Sequence, residues 1–78
     1  MDTINQEVAA RIVATIQTQK RSNKSVAELA GIPVTTFHRK VTKPDAFTVP
    51  ELARLADVLH VHPTRFLPEV FADLKETA

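Results

Sequence analysis

The chain has 78 residues, a mass of 8.7 kDa and a formal net charge of +1, from ten Lys and Arg against nine Asp and Glu. This length predicts one domain over residues 1–78, and a hydrophobic fraction of 44% is sufficient for a core. The absence of cysteine excludes disulfide scaffolds, cysteine nucleophiles and thiolate zinc sites. The single glycine excludes Gly-rich phosphate loops. The apolar runs are too short for a membrane span.

The first segment, from Thr3 to about Gln19, has apolar residues at every fourth position, which predicts an amphipathic helix. Thr3 and Gln6 have the spacing of a capping box, so Thr3 is the expected N-cap. The polar run over residues 17–24 then predicts the end of this helix and a solvated connection. The apolar stripe consists of Ile4, Val8, Ile12 and Ile16.

Two short helices are predicted on either side of the only glycine, Gly31. Ser25 and Glu28 form a second capping-box pattern, which opens a helix over residues 26–30. Gly31 closes this helix, because glycine readily adopts the left-handed conformation that follows a helix C-terminus. Pro33 suits the start of the next helix, which we expect to run to about residue 41.

The fourth predicted helix begins at a third capping-box pattern, Thr48 with Glu51. His60 and His62 are expected to close it, where partial positive charge suits the helix dipole. Their His-x-His spacing also invites a metal site, but no third ligand stands at a matching spacing, so we expect no metal. The apolar face of this helix consists of Leu52, Leu55, Ala56 and Leu59.

Pro63 is expected to start a fifth helix, with a break or kink at Pro68. The apolar stripe that continues past the break has two open interpretations. It either covers the core of the bundle or forms a contact between two copies of the chain. The stripe consists of Leu67, Val70, Phe71 and Leu74.

Residues 26–41 have the features of a helix-turn-helix, because two short helices flank a glycine turn. Ala27 is small enough to let the helices cross closely, and Gly31 permits a sharp turn. Ile32 and Phe37 are expected to bury the hinge. The polar side of the second helix is then left outside, where it fits the major groove of DNA.

Positive charge is concentrated on the same part of the chain. Residues 20–43 carry six basic side chains against Glu28 alone, a balance of +5, whereas the rest of the chain has a balance of −4. This partition is the electrostatic footprint expected of a phosphate-binding surface. The basic residues are Lys20, Arg21, Lys24, Arg39, Lys40 and Lys43.

The stretch from Ser25 to Val41, SVAELAGIPVTTFHRKV, resembles the helix-turn-helix of the lambda-repressor-like class, which includes phage Cro and repressor proteins. Residues 47–63 are similar to the fourth and fifth helices of that family, and the resemblance covers about residues 4–67. It implies an all-α, lambda-repressor-like fold, a compact bundle of five to six short helices. It also implies a sequence-specific transcription regulator that binds double-stranded operator DNA.

The resemblance implies that the start of the recognition helix and the turn that follows it read the bases. Arg39 is expected to form a bidentate contact with guanine, worth ~1–3 kcal/mol of discrimination. Val34 would pack on a thymine methyl group, and Thr35 would bond a base edge or phosphate. The simplest alternative is that Arg39 and Lys40 only solubilise an exposed face, and that Thr35 and Thr36 are only helix-start residues. The expected base contacts are Val34, Thr35, His38 and Arg39.

The resemblance also implies phosphate contacts from the start of the second helix, and Thr36, Lys40 and Lys43 are further candidates for such contacts. This chain departs from the family at two positions. Pro33 replaces the usual small polar N-cap of the recognition helix. Lys40 occupies a position that is often apolar, and we expect it to face solvent. The expected phosphate contacts are Asn23, Lys24, Ser25, Thr36, Lys40 and Lys43.

The sequence thus predicts a Cro-like or repressor-type regulator of phage or prophage origin that occludes an operator. We favour dimerisation, with residues 68–78 as a dimerisation helix, because relatives often dimerise through this end to match DNA half-sites. The contact would involve Leu67, Val70, Phe71 and Leu74.

Two alternatives remain open: the antitoxin of a toxin–antitoxin pair, and a protein-interaction module that keeps the helix-turn-helix without binding DNA. No nucleophile or pocket is evident, so we do not expect an enzyme, a cofactor or a small-molecule ligand. The N-terminus lacks the basic start and apolar stretch of a signal peptide, and we expect a cytoplasmic, nucleoid-associated protein.

Overall fold

The computed structural model describes residues 3–43 and 47–67. All the regular secondary structure in these ranges is helical. The prediction of an all-α protein is confirmed for these ranges. Four α-helices are followed by one short 3₁₀ turn. They are α1 (Thr3–Thr18), α2 (Asn23–Leu29), α3 (Val34–Thr42), α4 (Val49–Leu59) and the 3₁₀ turn Pro63–Phe66.

The predicted number of five to six helices is wrong for these ranges. The segment that starts at Pro63 forms a 3₁₀ turn of four residues rather than a fifth α-helix. Leu67 already has extended backbone angles, φ −81° and ψ 139°. The physical reason is Pro68, because the residue before a proline is sterically driven out of the α conformation. The dimerisation helix predicted over residues 68–78 lies outside the described residues.

One hydrophobic core holds the four helices together. α1 packs against α3 and the 3₁₀ turn, and α4 packs against α2 and the same turn. The predicted stripe of α1 is confirmed from Val8 onward, whereas Ile4 is exposed. The largest side chains that are completely enclosed are Phe37, Phe66, Ile12, Ile16, Leu55, Leu59 and Val26.

The beginnings of α2 and α4 are both fixed by hydroxyl caps. The capping box predicted for α4 is confirmed: the Thr48 hydroxyl accepts from the Glu51 N–H at 3.2 Å, and the Glu51 carboxylate accepts from the Thr48 N–H at 2.8 Å. The cap predicted for α2 at Ser25 is wrong. Ser22 lies one turn earlier with an extended backbone, and its hydroxyl accepts from the Ser25 N–H at 3.0 Å. α2 therefore gains a turn that carries residues 23–25.

Gly31 ends α2 as predicted, with a φ of +73°. Its N–H donates to the Glu28 carbonyl at 3.1 Å, and the Ile32 N–H donates to the Ala27 carbonyl at 2.9 Å. These two bonds form a Schellman motif, which satisfies carbonyls that the helix end would leave unpaired. His60 ends α4 in the same left-handed conformation, with a φ of +58°, so its predicted role in closing that helix is confirmed.

Replacing Gly31 with alanine is expected to destabilise the chain by about 1–2 kcal/mol, which is the cost of a Cβ atom in the left-handed region. No heavy atom lies within 4 Å of the position of that Cβ, so the loss comes from backbone strain alone. Urea unfolding measures it. Gly31→Asn is the control, because asparagine tolerates this conformation and should lose less. Equal losses in the two variants would contradict this explanation.

Candidate nucleic-acid interface

α3 presents one mainly polar side to solvent. Val34, Thr35, His38 and Arg39, the four residues predicted to contact bases, are all exposed. Thr35 and His38 lie three residues apart, and Val34 with His38 and Thr35 with Arg39 lie four residues apart. These spacings place the four residues on one side of the helix, a stripe along α3. Val34 keeps 37% of its surface accessible, so the stripe includes an apolar group of the kind that packs against a methyl.

The opposite side of α3 is held by aromatic packing. Phe37 is almost completely buried, and its ring meets that of Phe47 edge-on, with centroids 5.9 Å apart. Pro33 stands at the N-cap and contributes no side-chain hydrogen bond, so this helix begins without a polar cap, as its sequence indicates. The orientation of the exposed stripe therefore depends on buried contacts rather than on capping.

α2 is anchored beside α3 by its buried middle and by its C-terminal end. Val26 and Ala27 are completely buried, and four residues, Ala30 to Pro33, connect α2 to α3. The Arg54 guanidinium of α4 donates to the Ala30 carbonyl at 2.8 Å, which ties the C-terminus of α2 to α4. The first turn of α2 exposes Asn23, Lys24 and Ser25, three of the predicted phosphate contacts.

The six basic residues of the positive segment divide into two groups. Arg21 is half-buried and donates to the Val58 carbonyl at 2.7 Å, so it stabilises the end of α4. Lys40 is also turned inward. The other four are exposed: Lys20, Lys24, Arg39 and Lys43.

Lys40 corrects the prediction that this side chain faces solvent. Only 7% of the residue is exposed, and its ammonium nitrogen lies 2.6 Å from the Glu51 Oε1 atom. Position 40 falls three residues after Phe37, on the buried side of α3, and the aliphatic stem of lysine can cover apolar surface there. Because its charge is paired with Glu51, the structure does not support the prediction that Lys40 contacts phosphate.

Glu51 has a pKa below the usual value of a glutamate. Burial by itself raises the pKa, but hydrogen bonds from the Lys40 ammonium and the Thr48 backbone, with the charge of Lys40, outweigh burial. The ionised carboxylate is therefore the form that the folded chain favours. A carboxylate of this kind stabilises the fold above its unfolded pKa and loses that contribution as the pH falls through its folded pKa.

Glu51→Gln is expected to lower the free energy of unfolding by about 1–3 kcal/mol at pH 7, because it removes the charged partner of Lys40. The difference from the unsubstituted chain should shrink as the pH falls below ~4.3, the ordinary glutamate pKa. Urea unfolding between pH 7 and pH 3 tests both expectations. Glu28→Gln is the control, because Glu28 is exposed on α2. A difference that stays constant across this range would contradict the assignment.

Thr42 belongs to the exposed side of α3 but was not predicted as a site residue. It is exposed, lies seven residues after Thr35 and four after His38, and its hydroxyl donates to the His38 carbonyl at 2.8 Å. The helical spacing from Thr35 was the signal that could have identified it. Thr36, a predicted phosphate contact, is only half-buried, and Lys43 is exposed at the end of α3.

The two C-terminal histidines have different tasks. His60 closes α4, whereas His62 opens the 3₁₀ turn, and its Nδ1 atom accepts from the Thr64 N–H at 3.3 Å. Within residues 3–43 and 47–67, no three His, Cys, Asp or Glu side chains come together as metal ligands would. None of the helices described is long and apolar enough to cross a membrane.

An apolar groove of about 260 Å³ lies between α4 and the 3₁₀ turn. Val49 stands at its edge with 79% of its surface exposed, and Leu67 forms part of its wall. Leu67 is the one predicted dimerisation residue that the structure describes, since Val70, Phe71 and Leu74 lie outside the described residues. The lining consists of Val49, Leu52, Ala53, Pro63, Thr64 and Leu67.

Comparison of the chain with protein-family models, with curated proteins and with solved structures finds no match in any of the three.

Proposed function

We propose that the chain is a sequence-specific DNA-binding transcription regulator of the Cro or repressor type, in which α2, the turn and α3 form a lambda-repressor-like helix-turn-helix. The observation that carries the proposal is the outward stripe of α3, which combines hydrogen-bonding, cationic and methyl-bearing side chains on a helix fixed from behind. A helix of this diameter fits the major groove, where each base pair presents a distinct pattern of donors, acceptors and methyl groups. The four-residue turn with its glycine has the length that this motif requires.

The stripe supplies one side chain for each type of major-groove contact. The Arg39 guanidinium provides a fork of donors that matches the O6 and N7 acceptors of guanine. Val34 provides the apolar surface that distinguishes thymine by its methyl group. Thr35 and His38 provide shorter polar groups for base edges or the neighbouring phosphates.

Phosphate contacts come from the exposed basic and hydroxyl groups that flank this stripe. Lys24 and Lys43 provide the charge, and the ammonium group of neither has a hydrogen-bonding partner among the described residues. Each phosphate that the protein neutralises steepens the fall of log affinity with log salt concentration by ~0.9. Duplex binding by this chain should therefore weaken steeply as salt is added. Asn23, Ser25 and Thr36 complete the proposed phosphate-contacting set.

Arg39→Ala is expected to reduce the preference for the selected operator over a scrambled duplex by about tenfold, because it removes a contact to a base edge. Lys24→Ala should weaken binding to both duplexes alike and reduce the salt slope by ~1, because it removes a contact to phosphate. Fluorescence anisotropy with duplexes selected from a random pool measures both effects.

Arg11→Ala is the matched control for these two variants, because it removes a positive charge from α1, where the guanidinium pairs with Glu7. Arg11→Ala should change the preference for the operator less than Arg39→Ala does, and the salt slope less than Lys24→Ala does. Identical behaviour of Arg39→Ala and Lys24→Ala would show that the two roles are wrongly assigned. Failure of the unsubstituted chain to bind any duplex in a salt-sensitive way would overturn the proposed function.

We further propose that two copies bind one operator and exclude polymerase from an overlapping promoter. One copy measures 34 × 28 × 22 Å and carries one α3, whereas half-sites on one face of DNA repeat every ~34–36 Å. A palindromic site is therefore matched by a second copy alongside the first. The apolar groove at Leu67 is the surface we assign to this contact, because its lining is almost entirely apolar and Leu67 is the first residue of the apolar pattern that the sequence continues at positions 70, 71 and 74.

Val49→Glu is expected to weaken dimerisation at least about tenfold, because it places a charge at the edge of an apolar contact. The substitution should leave the fold intact, since an acidic residue in the first turn of α4 suits the helix dipole. Sedimentation equilibrium, with and without operator DNA, measures the effect. Leu29→Glu is the control, because Leu29 is a large exposed apolar residue on α2. A dimer that Val49→Glu leaves unchanged would place the contact elsewhere.

A further inference from the structure

Lys40 and Glu51 join the last turn of α3 to the first turn of α4. Their charged atoms lie 2.6 Å apart, and the two side chains are 9% and 13% exposed. The residues are eleven positions apart, so the pair spans the connection between the two helices. It is the one ion pair between different helices that the structure shows in residues 3–43 and 47–67.

Three further contacts fix this ion pair in place. The Glu51 Oε1 atom that binds the Lys40 ammonium also accepts from the Thr48 N–H at 2.8 Å. The ammonium nitrogen lies 5.5 Å from the centre of the Phe47 ring, which in turn contacts Phe37 beneath α3. The Lys40 ammonium thus lies between a carboxylate and an aromatic ring, and the helix cap holds that carboxylate in place.

Stability alone is a poor explanation for an ion pair at this position. Replacing both members of a buried ion pair with well-packed apolar side chains of similar volume often leaves a protein equally stable or more stable. An ion pair with a hydrogen bond differs from apolar packing in being directional, because its geometry is satisfied over a narrow range of distances and angles. The pair therefore restricts rotation and sliding of α3 more than apolar contacts would.

The neighbours of Lys40 on α3 are the residues proposed to read bases. Arg39 directly precedes Lys40 in the chain, and His38 lies two positions before Lys40. Both are on the exposed side of the same turn. Hydrogen bonds to base edges are directional, so a rotation of α3 about its axis would misplace both side chains together. The Lys40–Glu51 pair acts on the helix at the turn where these two side chains leave it.

We propose that Lys40 is a positioning residue for DNA recognition: through Glu51 it sets the rotation of α3, and with it the direction of Arg39 and His38, without contacting DNA itself. This inference rests on the proposed function, since the surface being positioned is the proposed recognition surface. The effect of Lys40 on DNA recognition then requires Glu51, whereas the effect of a lysine that contacts phosphate would not.

The test compares Lys40→Met, Glu51→Gln and the double variant with the unsubstituted chain. Methionine keeps most of the buried length of lysine, and glutamine keeps the oxygen that caps α4. Anisotropy titrations with a duplex selected by the unsubstituted chain and with a scrambled duplex give the affinity ratio and the salt slope. Lys43→Met is the matched control, because it removes an exposed lysine from the end of the same helix.

Lys40→Met and Glu51→Gln are each expected to lower the affinity ratio by about tenfold, with the salt slope unchanged. The double variant should lose no more than either single variant, because both act through one interaction. Lys43→Met should weaken both duplexes alike and lower the slope by ~1. Circular dichroism verifies folding, and if Lys40→Met does not fold, the affinity ratio of Glu51→Gln decides the question.

A salt slope that falls by ~1 in Lys40→Met, with the affinity ratio preserved, would make Lys40 a phosphate contact and overturn the proposal. An affinity ratio that both single variants preserve would overturn it as well, while leaving the proposed function intact. If the unsubstituted chain binds no duplex, the proposed function fails, and the recognition role of Lys40 fails with it.

Discussion

Phe37 is the contact on which the arrangement of α3 depends. A helix of nine residues is too short to be stable in water alone, and this one begins at a proline without a side-chain cap. Its stability must therefore come from the side that it buries. Phe37 is 2% exposed and its ring meets the Phe47 ring edge-on, so this contact holds the buried side of α3 against the core.

The same constraint decides which charges reach the surface. A cation on the buried side of α3 or at the junction of α1 and α4 must find an acceptor, because an unpaired buried charge is costly. Lys40 finds the Glu51 carboxylate and Arg21 finds the Val58 carbonyl. No buried side-chain nitrogen or oxygen within the described ranges lacks a hydrogen bond. The remaining cations lie at the surface, so the positive segment is less strongly charged outside than its sequence indicates.

The sequence predicted the features that depend on a few neighbouring residues. The glycine closure of α2, the Thr48–Glu51 capping box and the exposed stripe of α3 each follow from local spacing, and the structure confirms them as structural features. The predictions that failed depended on competition or distance. Ser22 and Ser25 are both good caps, and spacing alone favoured the wrong one. The partner of Lys40 lies eleven residues away, and the helix expected at Pro63 was shortened by the effect of Pro68 on its neighbour.

The buried and the exposed residues of α3 lie on different sides of the helix and have different roles. Phe37 and Lys40 hold the helix, whereas Val34, Thr35 and His38 are exposed to solvent and contribute little to the core. Substitutions at exposed positions usually change stability by less than ~0.5 kcal/mol. The outward residues of α3 can therefore be exchanged while the scaffold stays the same. Under the proposed function, related chains can evolve to bind new operator sequences through substitutions at a few exposed positions of α3, while their core residues stay the same.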